Sequence, residues 1–293
     1  MLSEFDLLSP ETLSEALQFM AQKAPDVSPV AGGTNLIVDL RSGKHNRPYL
    51  VNIEALEELK GLRLINNKIQ IGACTKINEL INSQIIQENA QVLIDAAKTF
   101  ANPLIRNRAT IGGNLVDASP ASDTAPPLLV LDAELELQSV NGSRVISIED
   151  FFIHVRKTTL KPGEILTSIS FPIPEPTTHF AYYKLGLRKA DAISVVSLAV
   201  RIGFDSKGKC TKARIALGSV APKPLRVLES ENFLTGKLLS EDVIQKAASI
   251  AASSSTPITD LRASAGYRTK MVETLVRRLL TEIVTSKKDR SQA

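Results

Sequence analysis

The chain of 293 residues contains no tryptophan, and aromatic residues make up only 4% of it. Binders of single-stranded nucleic acid interleave cationic grooves with aromatic platforms for the bases. No such interleaving occurs, and an excess of 35 basic over 31 acidic residues is too small at this length to imply a nucleic-acid partner. Cysteine is also scarce. Cys74 and Cys210 are far apart and belong to no CxxC, which argues against a thiolate metal site or an iron–sulfur cluster in this chain. Two thiols in a chain of this size suit the reducing cytoplasm, and both read as small core residues. The three histidines, His45, His154 and His179, show neither HxxxH nor HExxH spacing, so no metal site is expected. No apolar run approaches the ~20 residues of a membrane span. The first residues, MLSEFDLLSPETLSEAL, are acidic and amphipathic, unlike a signal peptide. Neither secretion nor membrane insertion is therefore expected.

What remains is the composition of an ordinary globular protein, 43% hydrophobic and 23% charged, long enough for two domains. Periodicity predicts a helix over residues 9–24, with Ser9 as cap and Pro10 in the first turn. A strand at 28–31, a helical stretch at 36–41 and a strand at 50–53 follow. Residues 62–73 alternate as a hairpin around Asn66-Asn67, Thr75 is placed to cap a helix ending near residue 83, and residues 88–100 read as one further helix. Residues 101–127 are rich in Gly, Pro, Ser, Asn and Asp and read as a long functional loop. Strands at 133–139 and 144–148 are joined through Asn141-Gly142, and another covers 164–171. Pro172, Pro174 and Pro176 then mark a domain boundary. Beyond it come three strands, at about 181–187, 194–204 and 212–220. Helices are predicted near 225–233, 240–252 and 264–284, before a basic tail, Lys287-Lys288-Asp289-Arg290, that reads as a frayed end. The order indicates an α+β fold rather than a regular βαβ winding.

Two segments carry the chemistry. In Val30-Ala31-Gly32-Gly33-Thr34-Asn35-Leu36 a strand runs into two glycines, a hydroxyl and an amide. Glycine permits positive φ and lets successive backbone N–H groups converge on phosphate oxygens. The segment is neither GxGxxG nor a P-loop, and taken alone it reads first as a structural Gly-Gly turn. Thr110-Ile111-Gly112-Gly113-Asn114 repeats the pattern inside the long loop. Two such turns suit the two phosphates of a pyrophosphate; a loop stiffened by its own Asn and Asp side chains is the other reading, and both stand. Arg106 and Arg108 fit phosphate contact or solvated faces alike, and Asp117 reads as a loop stiffener.

With Ile105-Arg106-Asn107-Arg108-Ala109 before the second turn, Ala118-Ser119-Pro120-Ala121-Ser122-Asp123 after it, and Leu261-Arg262-Ala263-Ser264-Ala265-Gly266-Tyr267-Arg268 in the last third, the chain resembles the FAD-binding medium subunit of the molybdenum hydroxylases. That family includes xanthine, carbon monoxide and nicotinate dehydrogenases. The resemblance implies a two-subdomain FAD-binding fold of the vanillyl-alcohol oxidase (PCMH) type over residues 1–176, with subdomains of about 1–54 and 55–176. A C-terminal α+β domain, a three-stranded sheet plus helices, would cover 177–293. It further implies that residues 30–36 wrap the FAD pyrophosphate and that Thr110, Ile111, Gly112, Gly113 and Asn114 take its other side. Ala101 would lie beside the flavin, Asp123 would bind the polar portion, and Leu166 and Lys184 would add contacts. Ile193 would cover the isoalloxazine ring where some relatives carry Tyr. The expected partners are a large subunit holding the molybdopterin cofactor and a small subunit holding [2Fe-2S] clusters. Electrons would pass from the latter to NAD+ or another acceptor. A stand-alone flavin-dependent reductase of the same fold group and a flavin-free assembly subunit are the alternatives.

Overall fold

The computed structural model describes residues 4–44 and 46–292, with side chains through residue 287. His45 and most of the predicted basic tail's side chains thus lie outside the described residues.

The chain begins with a small parallel sheet. Tyr49–Asn52 is central, flanked by Asp6–Leu8 and Val27–Val30. Helix Leu13–Lys23 covers it, and Leu17, Met20, Val51, Leu56 and Leu59 form a compact core. This helix starts later than periodicity suggested. Thr12 is its cap, accepting from Glu15 N at 3.2 Å, because the strand Asp6–Leu8 draws the preceding residues into extended conformation.

The second unit is a five-stranded antiparallel sheet in the order Leu62–Ile65, Lys68–Gly72, Ile165–Pro172, Glu134–Ser139, Gly142–Ser147. Both expected hairpins are present, with Asn66 and Asn67 at φ 50° and 60° and Gly142 at φ 119°. The helix predicted over 88–100 is broken at Ala90 into Gln84–Asn89 and Gln91–Thr99. Lys76, rather than Thr75, precedes the helix Ile77–Ile81, with Glu79 accepting from Lys76 N at 3.0 Å, and the Thr75 hydroxyl donates to Gly61 O.

The largest departure concerns residues 101–127. Instead of one long loop they contain helices Pro103–Arg106 and Ile111–Val116 and lead into Ala125–Val130. The Asn, Thr and Pro residues that read as loop formers are caps and first-turn residues. Asn102 accepts from Ile105 N at 3.0 Å and Thr110 from Gly113 N at 3.1 Å, while Pro103 and Pro126 occupy first turns. Burial of every residue from Ala125 to Val130 supplies what local propensity lacks.

The third unit is an antiparallel sheet in the order Thr178–Gly186, Ser194–Phe204, Cys210–Gly218, Leu225–Arg226, backed by helices Leu228–Leu234, Glu241–Ser253 and Ala265–Gln292. It has four strands, not the expected three. Leu225 and Arg226 pair with Leu217 and Ala216 instead of starting a helix, and Arg226 is held there by ion pairs to Glu231, Glu149 and Asp132. The last helix continues through Gln292, past the predicted end near 284. Every residue of Ser194–Phe204 is buried. One face packs on this unit's helices, and on the other Ala199 and Ala216 join the core of the five-stranded unit. This two-sided burial seats the third unit against the residues that bear the second glycine turn.

Candidate functional site

Val30 ends its strand by accepting from Ile53 N at 2.9 Å, and the chain then turns through Gly32-Gly33 into the helix Leu36–Arg41. Gly33 has φ 68°, a left-handed value that strains any side-chain-bearing residue. Among the described residues, the backbone N–H groups of Gly32, Gly33, Thr34 and Asn35 meet no acceptor. Gly32, Gly33 and Thr34 are half-buried and Asn35 is exposed; half-buried amides are nearly always paired, so this run of free donors on the cleft lining is an anion-binding surface.

Gly32 has a second role. A Cβ there would lie 1.9 Å from Arg108 O, so the first turn and the chain leading to the second touch backbone to backbone. Gly112 is also crowded, with a Cβ position 2.6 Å from the Ala73 Cβ. These two glycines bring together the elements that form the cleft walls.

The second glycine turn differs from the first. Ile111 N donates to Thr75 O, Gly112 N to Ala73 O, Gly113 N to the Thr110 hydroxyl and Asn114 N to Thr110 O. Its amides are consumed, so it is not a second phosphate nest of the kind read from its sequence. The Asn114 side chain is also engaged, its Oδ1 accepting from Ser122 at 2.7 Å and Thr124 at 2.6 Å. What this turn presents to the cleft is close-packed backbone, with Gly113 exposed.

Between the two turns lies a cleft of about 410 Å³. Of the expected residues, Val30, Ala31, Gly32, Gly33, Thr34, Asn35, Leu36, Ala101, Thr110, Gly112, Gly113, Asn114 and Leu166 line it. Ile111 instead points into the core. Asp123 and Lys184 pair at 2.7 Å outside the lining, and the Lys184 ammonium also donates to Thr99 O at 3.0 Å. Burial pushes the Asp123 carboxyl up to about 6 despite Lys184, and its Oδ1 is buried with no hydrogen-bond partner. Ile193 is 55% exposed, off the lining, in a segment tied to the cleft by Asp191 N donating to Ala101 O at 3.2 Å.

Sequence reasoning missed several lining residues, among them Ile53, Phe100, Ile105 and Leu160, which give the cleft apolar walls, and Asp39 and Arg156. Asp39, one helical turn past Asn35, follows from the predicted helix; Arg156 had no local signal. Asp117 lines the cleft and is ion-paired with Arg156, so it does more than stiffen a loop. Burial raises its carboxyl, opposed by Arg156 and a hydrogen bond from Asn35. Arg106 and Arg108 are not on the lining. The former donates to Phe100 O, and the latter pairs with Glu54 at 2.8 Å. The cleft therefore combines an anion-binding turn with apolar walls.

Residues 3–174 match the family described as the FAD binding domain in molybdopterin dehydrogenase, and residues 181–283 match the CO dehydrogenase flavoprotein C-terminal domain. The chain is 32% identical over 286 residues to the xanthine dehydrogenase FAD-binding subunit of Escherichia coli O157:H7, covering 94% of each. It is 33% identical over 275 residues to the carbon monoxide dehydrogenase medium chain of Afipia carboxidovorans, again covering 94% of each. It superimposes on a chain of the carbon monoxide dehydrogenase from Hydrogenophaga pseudoflava with a TM-score of 0.94 at 32% identity, covering 97% of this chain and 99% of that one.

Proposed function

We infer, because this chain belongs to the family of FAD-binding subunits of molybdenum hydroxylases, that its cleft holds FAD on the turn at residues 32–35. We further infer that it relays electrons from a [2Fe-2S] subunit to NAD+ or another acceptor. The observation that carries the cofactor assignment is the row of four unpaired amides at Gly32, Gly33, Thr34 and Asn35. A pyrophosphate is the part of FAD that needs such donors, and the remaining apolar lining suits a large aromatic ligand.

The chain's own residues bind, orient and exclude water. The first turn donates to the pyrophosphate. Phe100, Ala101, Ile105 and Leu166 keep water from the rest of the ligand. The second turn acts as a close-fitting wall, since its amides are spent within the fold. Asp123, off the cleft lining, retains one unsatisfied oxygen, and Lys184 holds it in place, an acceptor suited to the cofactor's polar portion. When bound, FAD supplies both one- and two-electron redox chemistry, which lets such a subunit stand between a single-electron iron–sulfur donor and a hydride acceptor. Ile193, exposed at the segment joined to Ala101, leaves an apolar surface where an acceptor would approach.

Hydroxylation of substrate at molybdenum belongs, on this reading, to a large partner subunit. The names of the relatives agree, describing FAD-binding subunits and medium chains. A cytoplasmic location fits the two buried, unpaired thiols. The native assembly should be yellow and release FAD on denaturation in a ratio near one per chain. A colourless assembly that takes up no added FAD would overturn the cofactor assignment. Anaerobic reoxidation of the reduced flavin by NAD+, compared with a quinone or dye, identifies the acceptor.

A further inference from the structure

The two lobes that bound the cleft, the small parallel sheet and the five-stranded sheet, meet along it in two different ways. At one point the contact is backbone on backbone, where Gly32 lies against Arg108 O with no room for a Cβ. No change of side-chain rotamer can open that contact. At the other point the contact is made only of side chains. Asp39 comes from the first lobe, on the helix Leu36–Arg41, one turn past the free amides. Asp117 comes from the second lobe, at the end of the glycine helix Ile111–Val116. Arg156, in the turn between the short strands Phe152–His154 and Lys157–Thr158, stands between them. Its guanidinium pairs with Asp117 and reaches Asp39 Oδ2 at 3.7 Å. Its backbone N–H donates to Ala118 O at 2.9 Å, so the arginine is anchored to the second lobe and reaches across to the first. All three side chains line the cleft.

Two carboxylates on the wall of a site for a dianionic ligand repel its phosphates unless a cation neutralises them. Arg156 is the cation that both of them share, with Lys44 reaching Asp39 from the solvent side. The carboxylates are nearly buried, at 11% and 12% side-chain exposure, whereas Arg156 is 44% exposed and free to swing out. A half-exposed arginine gripped by two fixed carboxylates is a contact that opens at modest cost. Resting on the assignment of the cleft to FAD, we propose that Asp39, Arg156 and Asp117 form a latch across the cleft, which opens to admit the cofactor and closes to slow its release. Arg156 is thus a positioning residue that governs retention, while the amides at 32–35 govern recognition.

The test measures FAD release by the recovery of flavin fluorescence from the full-length chain, purified with the subunits that accompany it. Arg156→Ala should release FAD on the order of tenfold faster, with Arg156→Lys intermediate. Asp39→Asn, which weakens the cross-lobe arm and the exposed Lys44 pair at 3.6 Å but leaves the Arg156–Asp117 pair intact, should do the same and serves if the arginine variant does not fold; Lys44→Ala, which removes only the Lys44 pair, should leave release at the wild-type rate. Rising ionic strength should speed release from the wild type and have little further effect on Arg156→Ala, because the half-exposed pair is open to salt screening. The melting temperature of the cofactor-free protein should barely change for Asp39→Asn, which removes one of the two facing carboxylates rather than the cation between them. Wild-type release rates in Arg156→Ala and Asp39→Asn, or a fall in cofactor-free stability with release unchanged, would overturn the latch. If the wild type itself holds no FAD, the assignment of the cleft is what fails.

Discussion

Asp123 is buried to 7% exposure with one oxygen on Lys184 and the other without a partner. Its carboxyl rises to about 6 from the ordinary 3.8, chiefly through burial. Between those two pH values the folded chain keeps a proton that the unfolded chain has already released. The stability this confers is full below pH 3.8 and is lost as pH rises through about 6. Asp123→Asn removes the titration. In urea unfolding, the stability of the wild type relative to this variant should therefore decline across that interval and level off above it. A flat difference would mean that Lys184 keeps Asp123 ionised throughout. The same pair was legible in the sequence only through the family resemblance. Residues 123 and 184 are far apart in the chain, and neither sits in a pattern that physics alone would single out.

At the scale of elements, the helix Ile111–Val116 has two glycines among six residues, each costing about 1 kcal/mol relative to alanine. It persists because Thr110 caps it, because Ile111 and Gly112 donate to Thr75 and Ala73, and because Ile111 and Leu115 are fully buried. Thr110→Ala should cost about 1 kcal/mol of folding free energy and speed hydrogen exchange at the Gly113 amide, which loses its acceptor. Unchanged exchange there would show that burial alone holds the helix. Composition placed this stretch in a loop because capping and loop-forming residues are the same residues; tertiary contacts decided between them. By contrast, the hairpins at Asn66-Asn67 and Asn141-Gly142 were legible, because a left-handed turn restricts the choice of residue locally.

The whole molecule is fastened at Asp132, which follows the helix Ala125–Val130. It pairs with Lys212 and Arg214 at 2.7 Å and with Arg201 and Arg226 at 3.3 Å, all four from the third unit. Burial alone would raise its carboxyl, but hydrogen bonds from Lys212 and Arg214 more than reverse this and leave it below the usual range. Removing one charge from such a hub strands several cations. With Asp132 itself a quarter exposed, Asp132→Asn should destabilise the chain by about 2–4 kcal/mol. It should also split a single calorimetric transition into two as the third unit uncouples. Retention of one transition at the wild-type temperature would place the fastening in the apolar contacts of Ala199 and Ala216 instead.

Local order was the sequence's own to determine: the alternation of the strands, the turns at their ends and the two glycine segments with their family identity. These depend on residues within a few positions of one another, where period, propensity and capping act directly. Which glycine turn keeps its amides free was decided by tertiary structure. The second turn spends them on Ala73, Thr75 and Thr110, while the first turn, at the end of a parallel strand, finds no such acceptors. The crowding that makes Gly32 necessary comes from Arg108, and the charges facing the cleft from Asp39, Asp117 and Arg156 meet only when the lobes close. Hydrogen-bond satisfaction and ion pairing depend on distances between residues remote in the chain, and those distances exist only once the core has formed.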